Sequence, residues 1–528
     1  MNIQEILKEL STYKIGREIN RGIEREALRV TPDGRISKKK HPEKLGSALT
    51  HPFITTDYSE ALLEFVTPVF NDPKKLLDFL RQIHIFTLKN IGEEILWNNS
   101  MPCFFKEGDE IPIADYGKSN VGKMKSIYRE GLKHRYGDVM QSISGIHFNI
   151  SLSDHFFSKL RKIKKNKNSL QEFRSMEYMK SIRNIHKHSW MIPYFFGSSP
   201  AICKSFITKH PVENDLINFD EKGTLTFEGA TTLRLSDLGY TNSEQDEITI
   251  CYNSIHSYVK RLRKAITEES PVFKKIGMID NGKYKQLNTN KLQLENEYYA
   301  TVRPKRRIHT GESPTSALLD RGIEYIELRS VDVNTYSPVG LELDQILFLD
   351  IFILYCLLTE NEEQVPENAL KYRENIEKVA RNGRSSDISL FNGIDFETPT
   401  LIGNKLFDQF ELIAKKLDNE KQCTEYMDVL TLYRLKLNDK NGLNSSRQLN
   451  EMKSNDETFY RNVLNRSNQF SKSLKNEKLS DVFKEEFAAH ALESHVRQSK
   501  IEDSDKISFE EYLKAYFQQN EYYHIQPP

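Results

Sequence analysis

The chain has 528 residues, and 75 lysines and arginines balance 75 aspartates and glutamates, so the formal net charge is zero. A neutral chain lacks the overall field that gathers nucleic acid or an anionic membrane surface, so we expect neither as a partner. Five scattered cysteines without a CxxC pair argue against a disulfide framework and a zinc site, and they favour a reducing cytoplasm.

The N-terminal residues follow the pattern of an amphipathic helix, without the apolar block of a signal peptide. Residues 22–29 come next, and they carry Glu24 and Glu26 two positions apart. Local propensity favours a solvated helical turn for this stretch. In a strand, however, both carboxylates would point to the same side about 7 Å apart, where they would need a cation.

Three more segments with polar faces follow. Residues 61–67 read as a strand whose single charge is Glu64, for which a functional site and an exposed sheet edge are equally good explanations. Residues 145–152 alternate strictly and place His147 and Asn149 on the polar face, although a histidine facing water is the alternative. Residues 232–236 alternate around Arg234, and residues 322–330 place Glu327 and Arg329 on one face.

The segments between and after these strands are assigned more simply. Residues 117–123 approach a GxxxxGK phosphate loop, but Met124 replaces the required Ser or Thr, so we reject a P-loop. Six basic residues between positions 159 and 167 read as a solvated loop. The apolar run 346–358 contains Asp350 and is too short to span a bilayer, so it predicts a buried helix. We predict a catalytic domain at residues 1–380 and a helical lobe packed on it at residues 381–528.

The polar faces together indicate the chemistry. If they line one sheet, four glutamates would lie beside His147 and two arginines, with Asp57 at the edge. Such a cluster needs divalent cations or protonated carboxyls, and oxygen ligands with one imidazole suit Mg²⁺ or Mn²⁺. The residues alone predict a magnesium-dependent, phosphate-handling enzyme on a mostly antiparallel sheet. A metal-dependent phosphohydrolase is the rival from another class, although its site usually draws on several His and Asp at loop ends.

Residues 21–340 strongly resemble the proteobacterial type of glutamate–cysteine ligase, which belongs to the glutamine synthetase-like carboxylate–amine ligases. The resemblance is carried, in consistent order, by RGIEREALRV, HPEKLGSALTHPFITTDYSEALLEFVTPV, YGKSNVGKMKSIYREGLKHRYGDVMQSISGIHFNISL, PYFFGSSPAIC, LRLSDLGYTN, LQLENEYYA, RPKR, GESP and RGIEYIELRS. It implies an α+β fold, in which a mostly antiparallel curved sheet forms a funnel-like active site flanked by helices. Together with the alternating polar faces at His147, Arg234 and Glu327, it reverses the helical interpretation of residues 22–29 in favour of a strand.

The reaction implied by the resemblance phosphorylates the gamma-carboxylate of glutamate with ATP, and the amine of cysteine then attacks the acyl phosphate. The partners expected are therefore three small molecules, the protein is expected to be a monomer, and only the first step of glutathione synthesis is expected. Two or three Mg²⁺ ions are implied, with Mn²⁺ as the alternative. The metal ligands implied are Glu24, Glu26, Asp57, Glu64, His147 and Glu327.

The resemblance assigns Arg234 and Arg329 to glutamate binding and to stabilising the phosphoryl and tetrahedral states. A gamma-glutamyl ligase with another amine acceptor is the rival from the same class, and the residues of the cysteine pocket argue against it. The remaining residues that the resemblance implies for substrate binding are Tyr58, Tyr128, Arg129, Gln141, Asn149, Tyr240 and Tyr299.

Overall fold

A seven-stranded sheet forms the framework of the protein in the computed structural model, which describes residues 1–106, 108–210, 215–239, 245 and 248–521. All its strand pairings are antiparallel. In order across the sheet, the strands are β11 (Val302–Lys305), β12 (Tyr325–Val331), β5 (Ile146–Leu152), β1 (Ile19–Val30), β3 (Leu62–Val66) and β2 (Ile54–Thr56), while β4 (Ile95–Leu96) pairs with the end of β1.

The central strand, β1, contains the residues that local propensity assigned to a helix. It pairs with β3 on one side and β5 on the other, so its backbone groups are hydrogen-bonded along both edges. Ile23 and Ala27 point into the main hydrophobic cluster and are fully buried, which leaves Glu24 and Glu26 on the opposite face. Burial and pairing therefore outweigh the helical preference of this stretch, and the strand prediction is confirmed.

Helices surround the sheet, and their ends follow ordinary capping rules. The side chain of Asp72 caps helix α2 (Pro73–Asn90), Ser119 caps helix α3 (Asn120–Tyr136), and Gly137 ends α3 with a positive φ of 84°. The helices up to the apolar run are α1 (Ile3–Glu9), α2 (Pro73–Asn90), α3 (Asn120–Tyr136), α4 (Asp154–Ile163), α5 (Leu170–His188), α6 (Met191–Phe196), α7 (Lys204–Lys209), α8 (Ile255–Thr267), α9 (Pro271–Ile276), α10 (Pro314–Arg321) and α11 (Leu343–Leu358).

The C-terminal third is helical, as predicted. Its helices are α12 (Pro366–Asn382), α13 (Pro399–Lys421), α14 (Glu425–Asn438), α15 (Asn444–Ser454), α16 (Phe459–Asn476), α17 (Asp481–Ser504) and α18 (Phe509–Glu521). One hydrophobic cluster joins this part to the sheet, since it includes Ile6, Phe148, Phe348 and Phe487. Helix α11 is buried, as its apolar run predicts, and no helix in the described ranges is long and apolar enough to cross a membrane.

Short strands complete the fold outside the main sheet. A three-stranded sheet has the order β6–β8–β7, and two hairpins pair β9 with β10 and β13 with β14. These strands are β6 (Ala201–Cys203), β7 (Ile217–Asn218), β8 (Thr224–Thr226), β9 (Ile279–Asp280), β10 (Lys283–Tyr284), β13 (Leu390–Phe391) and β14 (Phe396–Glu397). The predicted α+β class with an antiparallel sheet is confirmed.

Two local predictions are wrong. Residues 232–236 are a turn rather than a strand, because Ser236 and Gly239 make turn hydrogen bonds to the carbonyls three residues before them. The alternation arose because Leu233 and Leu235 are both buried but in different clusters. The basic run 159–167 is not a free loop, since its first half continues α4 and Lys164 pairs with Glu177 at 2.9 Å.

Candidate active site

The register of the sheet brings the predicted acidic residues onto one face. Glu24 on β1 lies opposite His147 on β5, and Glu26 lies opposite Glu64 on β3. Residues paired directly across an antiparallel sheet point to the same side, so these four groups share the face away from the main core. On the next strand, β12, Glu327 lies opposite Asn149. The structure therefore gathers on one surface residues separated by more than 300 positions in the chain.

His147 is the centre of this acidic face. Its Nδ1 lies 2.9 Å from Glu24 Oε2 and 3.9 Å from Glu327 Oε1, and its Nε2 lies 3.6 Å from Glu26 Oε1. One ligand atom from each of Glu24, His147 and Glu327 lies within 4.8 Å of the others. This answers the question that the sequence left open, since His147 is buried among carboxylates rather than facing water.

The two ends of the acidic face differ in charge. Burial opposes ionisation of Glu327, but Lys305 and Arg329 are its strongest cationic neighbours and help to hold the pKa of that carboxyl well below its ordinary value. Burial also opposes ionisation of Glu24, but its hydrogen bond to His147 helps to lower the pKa of Glu24. This end of the face therefore carries ionised carboxylates that are balanced by neighbouring cations.

At the other end of the face, Glu26 and Glu64 have too few cations near them to balance their charge. Burial raises the pKa of Glu26, and burial together with the charges of Glu24 and Asp57 raises the pKa of Glu64 well above its ordinary value. Like charges this close in a buried site favour protonation unless a cation is present. The pair therefore suits a divalent cation.

The donor set itself fits a metal with oxygen preference. Glu327 Oε1 is buried without a hydrogen-bond partner among the described residues, and Lys305 Nζ lies 3.3 Å from it. Carboxylate oxygens with a single imidazole match the ligands of Mg²⁺ or Mn²⁺ rather than those of zinc or iron. The convergence of Glu24, His147 and Glu327, next to the carboxyls of Glu26 and Glu64, indicates a position for a cation.

Two arginines border the acids. Arg329 donates to Glu327 Oε2 at 3.2 Å, and its side chain is 19% exposed towards the cavity. Arg234, which is buried, reaches the same place from the turn and donates to the carbonyl of Arg329 at 2.7 Å. Gly145 makes this approach available, since a Cβ on it would meet Arg234 Nη2 at 2.1 Å. Residues 232–236 are therefore not a strand, but the residue that this segment singled out, Arg234, does line the cavity.

We expect Gly145→Ala to displace the Arg234 guanidinium and to lower kcat about tenfold to a hundredfold. A small displacement of a group that positions a substrate lowers the reaction rate by this order. The protein should stay folded, since the clashing atoms end a flexible side chain. Steady-state kinetics with thermal denaturation would test this. Gly22→Ala on the neighbouring strand is the matched control, because its Cβ would meet Asn149 at an ordinary 3.7 Å. Equal kinetics for both variants would contradict the role of Gly145.

A cavity of about 470 Å³ lies above the acidic face. Of the predicted residues, Asn149 lies behind this lining and donates to Glu24 Oε1 at 2.9 Å. Tyr240 lies outside the described residues. The predicted residues that line the cavity are Glu24, Glu26, Asp57, Tyr58, Glu64, Tyr128, Arg129, Gln141, His147, Arg234, Tyr299, Glu327 and Arg329.

The structure adds lining residues that the sequence did not single out. Arg303 and Lys305 on β11 face the cavity beside Glu327, and Lys125 on α3 lies over the ring of Tyr116 at 4.9 Å. Burial and the charge of Arg129 lower the pKa of Lys125 to about 8. In the RPKR stretch, Arg303 and Lys305 are two positions apart, and this spacing could have predicted that both face the same side of strand β11. No comparable signal marks Lys125 within its helix.

Comparison with known proteins shows which proteins this chain resembles. The family model described as glutamate-cysteine ligase matches residues 4–379. The glutamate–cysteine ligase of Alcanivorax borkumensis is 42% identical over 506 residues, covering 94% of this chain and 95% of that protein. The corresponding protein of Aliivibrio salmonicida is 43% identical over 513 residues, covering 97% and 98%.

Solved structures agree with these relatives. A glutamate–cysteine ligase from Francisella tularensis, crystallised in complex with AMP, has a TM-score of 0.89 and 33% identity, covering 96% of this chain and 98% of that chain. A bifunctional glutathione synthetase from Pasteurella multocida has a TM-score of 0.70 at 21% identity, covering 90% of this chain and 55% of that one, so it shares the fold.

Proposed function

This chain belongs to the glutamate–cysteine ligase family, and we propose that its acidic sheet face and the cavity above it carry out the family's reaction. The chain is an ATP-dependent ligase that joins the gamma-carboxylate of glutamate to the amine of cysteine. The products are gamma-glutamylcysteine, ADP and phosphate, and this is the first step of glutathione synthesis. The observation that carries our assignment of the site is the convergence of Glu24, His147 and Glu327 beside Arg329.

We propose that the acidic face holds two or three Mg²⁺ ions, with Mn²⁺ as the alternative. The support is the raised pKa of Glu26 and Glu64, together with the ligand atoms of Glu24, His147 and Glu327 that lie within 4.8 Å of one another. Bound magnesium supplies neutralising charge for the phosphate oxygens of ATP. The proposed ligands are Glu24, Glu26, Asp57, Glu64, His147 and Glu327.

The arginines are proposed to bind and orient glutamate. Arg329 lines the cavity, and within the described ranges one side-chain hydrogen bond is seen for it, to Glu327, so its other guanidinium donors can bind a carboxylate through two hydrogen bonds. Arg234 lies next to it, where negative charge develops on the phosphoryl group and on the tetrahedral state. Because phosphate is the leaving group, no protein nucleophile is required and positioning supplies much of the catalysis.

The cysteine pocket is proposed on the side of the cavity formed by α3. The hydroxyl of Tyr58 is buried and finds no hydrogen-bond partner in the described part of the chain, so it is available to a substrate. Arg129 is held in place there by the carbonyl of Asp57 and by the ring of Tyr116, 4.6 Å away. The other proposed members are Tyr128, Gln141, Tyr240 and Tyr299, with Asn149 supporting Glu24 from behind.

The wider assignments rest on the same features. We propose a monomer, because every group assigned to the reaction comes from one chain, and a cytoplasmic location, where ATP is supplied and five free thiols stay reduced. We propose residues 1–380 as the catalytic domain and residues 381–528 as a lobe packed on it. The hydrogen bond from the Ser47 backbone to Ser494 Oγ, at 2.8 Å, is one of the contacts between them.

Phosphate release from ATP tests the proposal directly. We expect slow release with ATP and Mg²⁺ alone, faster release when glutamate is added, and the highest rate with glutamate and cysteine together, with gamma-glutamylcysteine detected by mass spectrometry. Chelation of the metal should stop the reaction. Release that is equally fast without any amino acid would favour a phosphohydrolase, and equal rates with other amines would favour a different acceptor.

A further inference from the structure

A buried ion pair lies beside the cavity, at Glu297 of its lining. Arg135, in the last turn of α3, donates to Glu297 Oε1 at 2.9 Å, and both side chains are fully buried. Neither charged group is therefore open to a substrate. Such a pair loses its hydration and is often no more stabilising than apolar residues of the same volume, so its presence suggests a role in fixing geometry.

Arg135 is held by several partners besides Glu297. Its Nε donates to Gln286 Oε1 at 2.9 Å, its Nη2 donates to the carbonyl of Asn288 at 2.7 Å, and its guanidinium lies over the ring of Phe273 at 4.1 Å. A planar guanidinium that is bonded at its edge and stacked on its face has a fixed orientation. Glu297 therefore meets its partner at one defined place at the end of α3.

One relay of hydrogen bonds runs from Glu297 to Tyr128. Glu297 Oε2 accepts from the backbone N–H of Gln293 at 2.6 Å, and Gln293 Nε2 donates to the carbonyl of Tyr128 at 3.2 Å. Gln293 packs directly on α3 because Gly131 leaves it space, since a Cβ on this glycine would meet Gln293 Oε1 at 2.1 Å. The position of Glu297 thereby fixes the segment that packs on the helix turn of Tyr128.

A second relay runs from Glu297 to Tyr299. Gln245 Nε2 donates to the carbonyl of Glu297 at 2.9 Å, and Gln245 Oε1 accepts from the backbone N–H of Tyr299 at 2.8 Å. The hydroxyl of Tyr136, which lines the cavity, also donates to Glu297 Oε1, at 2.5 Å. Tyr128 and Tyr299 are thus each two hydrogen bonds away from the same buried residue.

We propose that Arg135 and Glu297 are positioning residues for the amine acceptor, which act by fixing Tyr128 and Tyr299 in the wall of its pocket. The inference rests on the proposed function, since it takes these two tyrosines as members of the cysteine pocket. Damage to the pair should affect the step that uses the amine and spare the formation of the acyl phosphate. The proposed metal ligands are carried mainly by strands of the main sheet, away from the end of α3.

Steady-state kinetics of Glu297→Gln test the inference. The amide keeps the shape of the side chain, but it removes the charge and replaces one acceptor oxygen with a donor. We expect the KM for cysteine to rise about tenfold to a hundredfold, the order that a small displacement of positioning groups produces. The KM for glutamate and the rate of phosphate release with ATP and glutamate alone should be unchanged.

Asp350→Asn is the matched control, since Asp350 and Arg21 form another fully buried ion pair, at 2.6 Å. Arg21 lies on β1, where alternation points its side chain away from the face that carries Glu24. This variant should lower the melting temperature and leave the KM for cysteine unchanged. An equal rise in the KM for cysteine in both variants would show a general effect of lost stability and would overturn the inference.

Gly131→Ala perturbs the first relay without removing a charge. The new methyl group would displace Gln293 from Tyr128, whereas alanine favours the helix, so the variant should fold. We expect a higher KM for cysteine, with unchanged phosphate release in the absence of cysteine. An unchanged KM for cysteine in Gly131→Ala would overturn the inference, even if Glu297→Gln does not fold. A wild-type protein whose phosphate release does not respond to cysteine would instead reject the proposed function itself.

Discussion

Glu327→Gln is expected to lower kcat/KM about a hundredfold or more. Substituting groups that only support a metal ligand typically costs about 10- to 100-fold, so a direct ligand should cost at least as much. Glu327 is buried, and Arg329 and Lys305 are within 3.3 Å of its oxygens. The amide keeps the shape of the side chain but removes the charge, so it also leaves two cations without their closest anion.

The dependence of the rate on Mg²⁺ concentration tests whether Glu327→Gln acts through metal binding. Initial rates measured over a range of Mg²⁺ concentrations should show a higher requirement, and direct Mn²⁺ binding should weaken in parallel. Glu324→Gln is the matched control, since Glu324 lies three residues earlier, forms ion pairs of 3.7 Å with Arg306 and Arg307, and accepts from the Arg307 backbone N–H at 3.2 Å, a bond that the glutamine oxygen can keep. Activity within a few-fold of wild type, at an unchanged Mg²⁺ requirement, would remove Glu327 from the proposed metal site.

The strands of the acidic face could be predicted where polar and apolar residues alternate along the sequence. At His147 and Asn149 the polar residues alternate with buried apolar ones, and the structure keeps that register. The stretch around Glu24 was ambiguous for a physical reason, since its residues favour helix when considered alone. Pairing with two neighbouring strands decided the outcome, and only the whole chain contains that information.

Arg234 shows the limit of pattern reasoning. Its segment alternates because two leucines enter separate clusters, and a turn can do this as well as a strand. The guanidinium reaches the site because Gly145 leaves space for it, which is a relation between distant residues. Lys125 and Tyr512 were missed for the same reason: they reach the cavity through helix packing, and no local spacing indicates it.

Arg329→Lys separates charge from geometry at the proposed glutamate site. Lysine keeps the positive charge beside Glu327, so the fold and the proposed metal site should be preserved. It loses the planar fork that binds a carboxylate through two hydrogen bonds, so the KM for glutamate should rise about tenfold to a hundredfold. The KM for ATP should change much less, because the substitution leaves the proposed metal-binding carboxylates in place.

Initial rates with each substrate varied in turn would measure this, and thermal denaturation would check the fold. Arg307→Lys is the matched control, since its side chain is 75% exposed and its pairing with Glu324 is loose. An unchanged KM for glutamate would exclude Arg329 from the glutamate site and leave Arg234 as the stronger candidate. A comparable rise for all three substrates would instead show that lysine had failed to reproduce the contact with Glu327 and that the charge of the whole face had been disturbed.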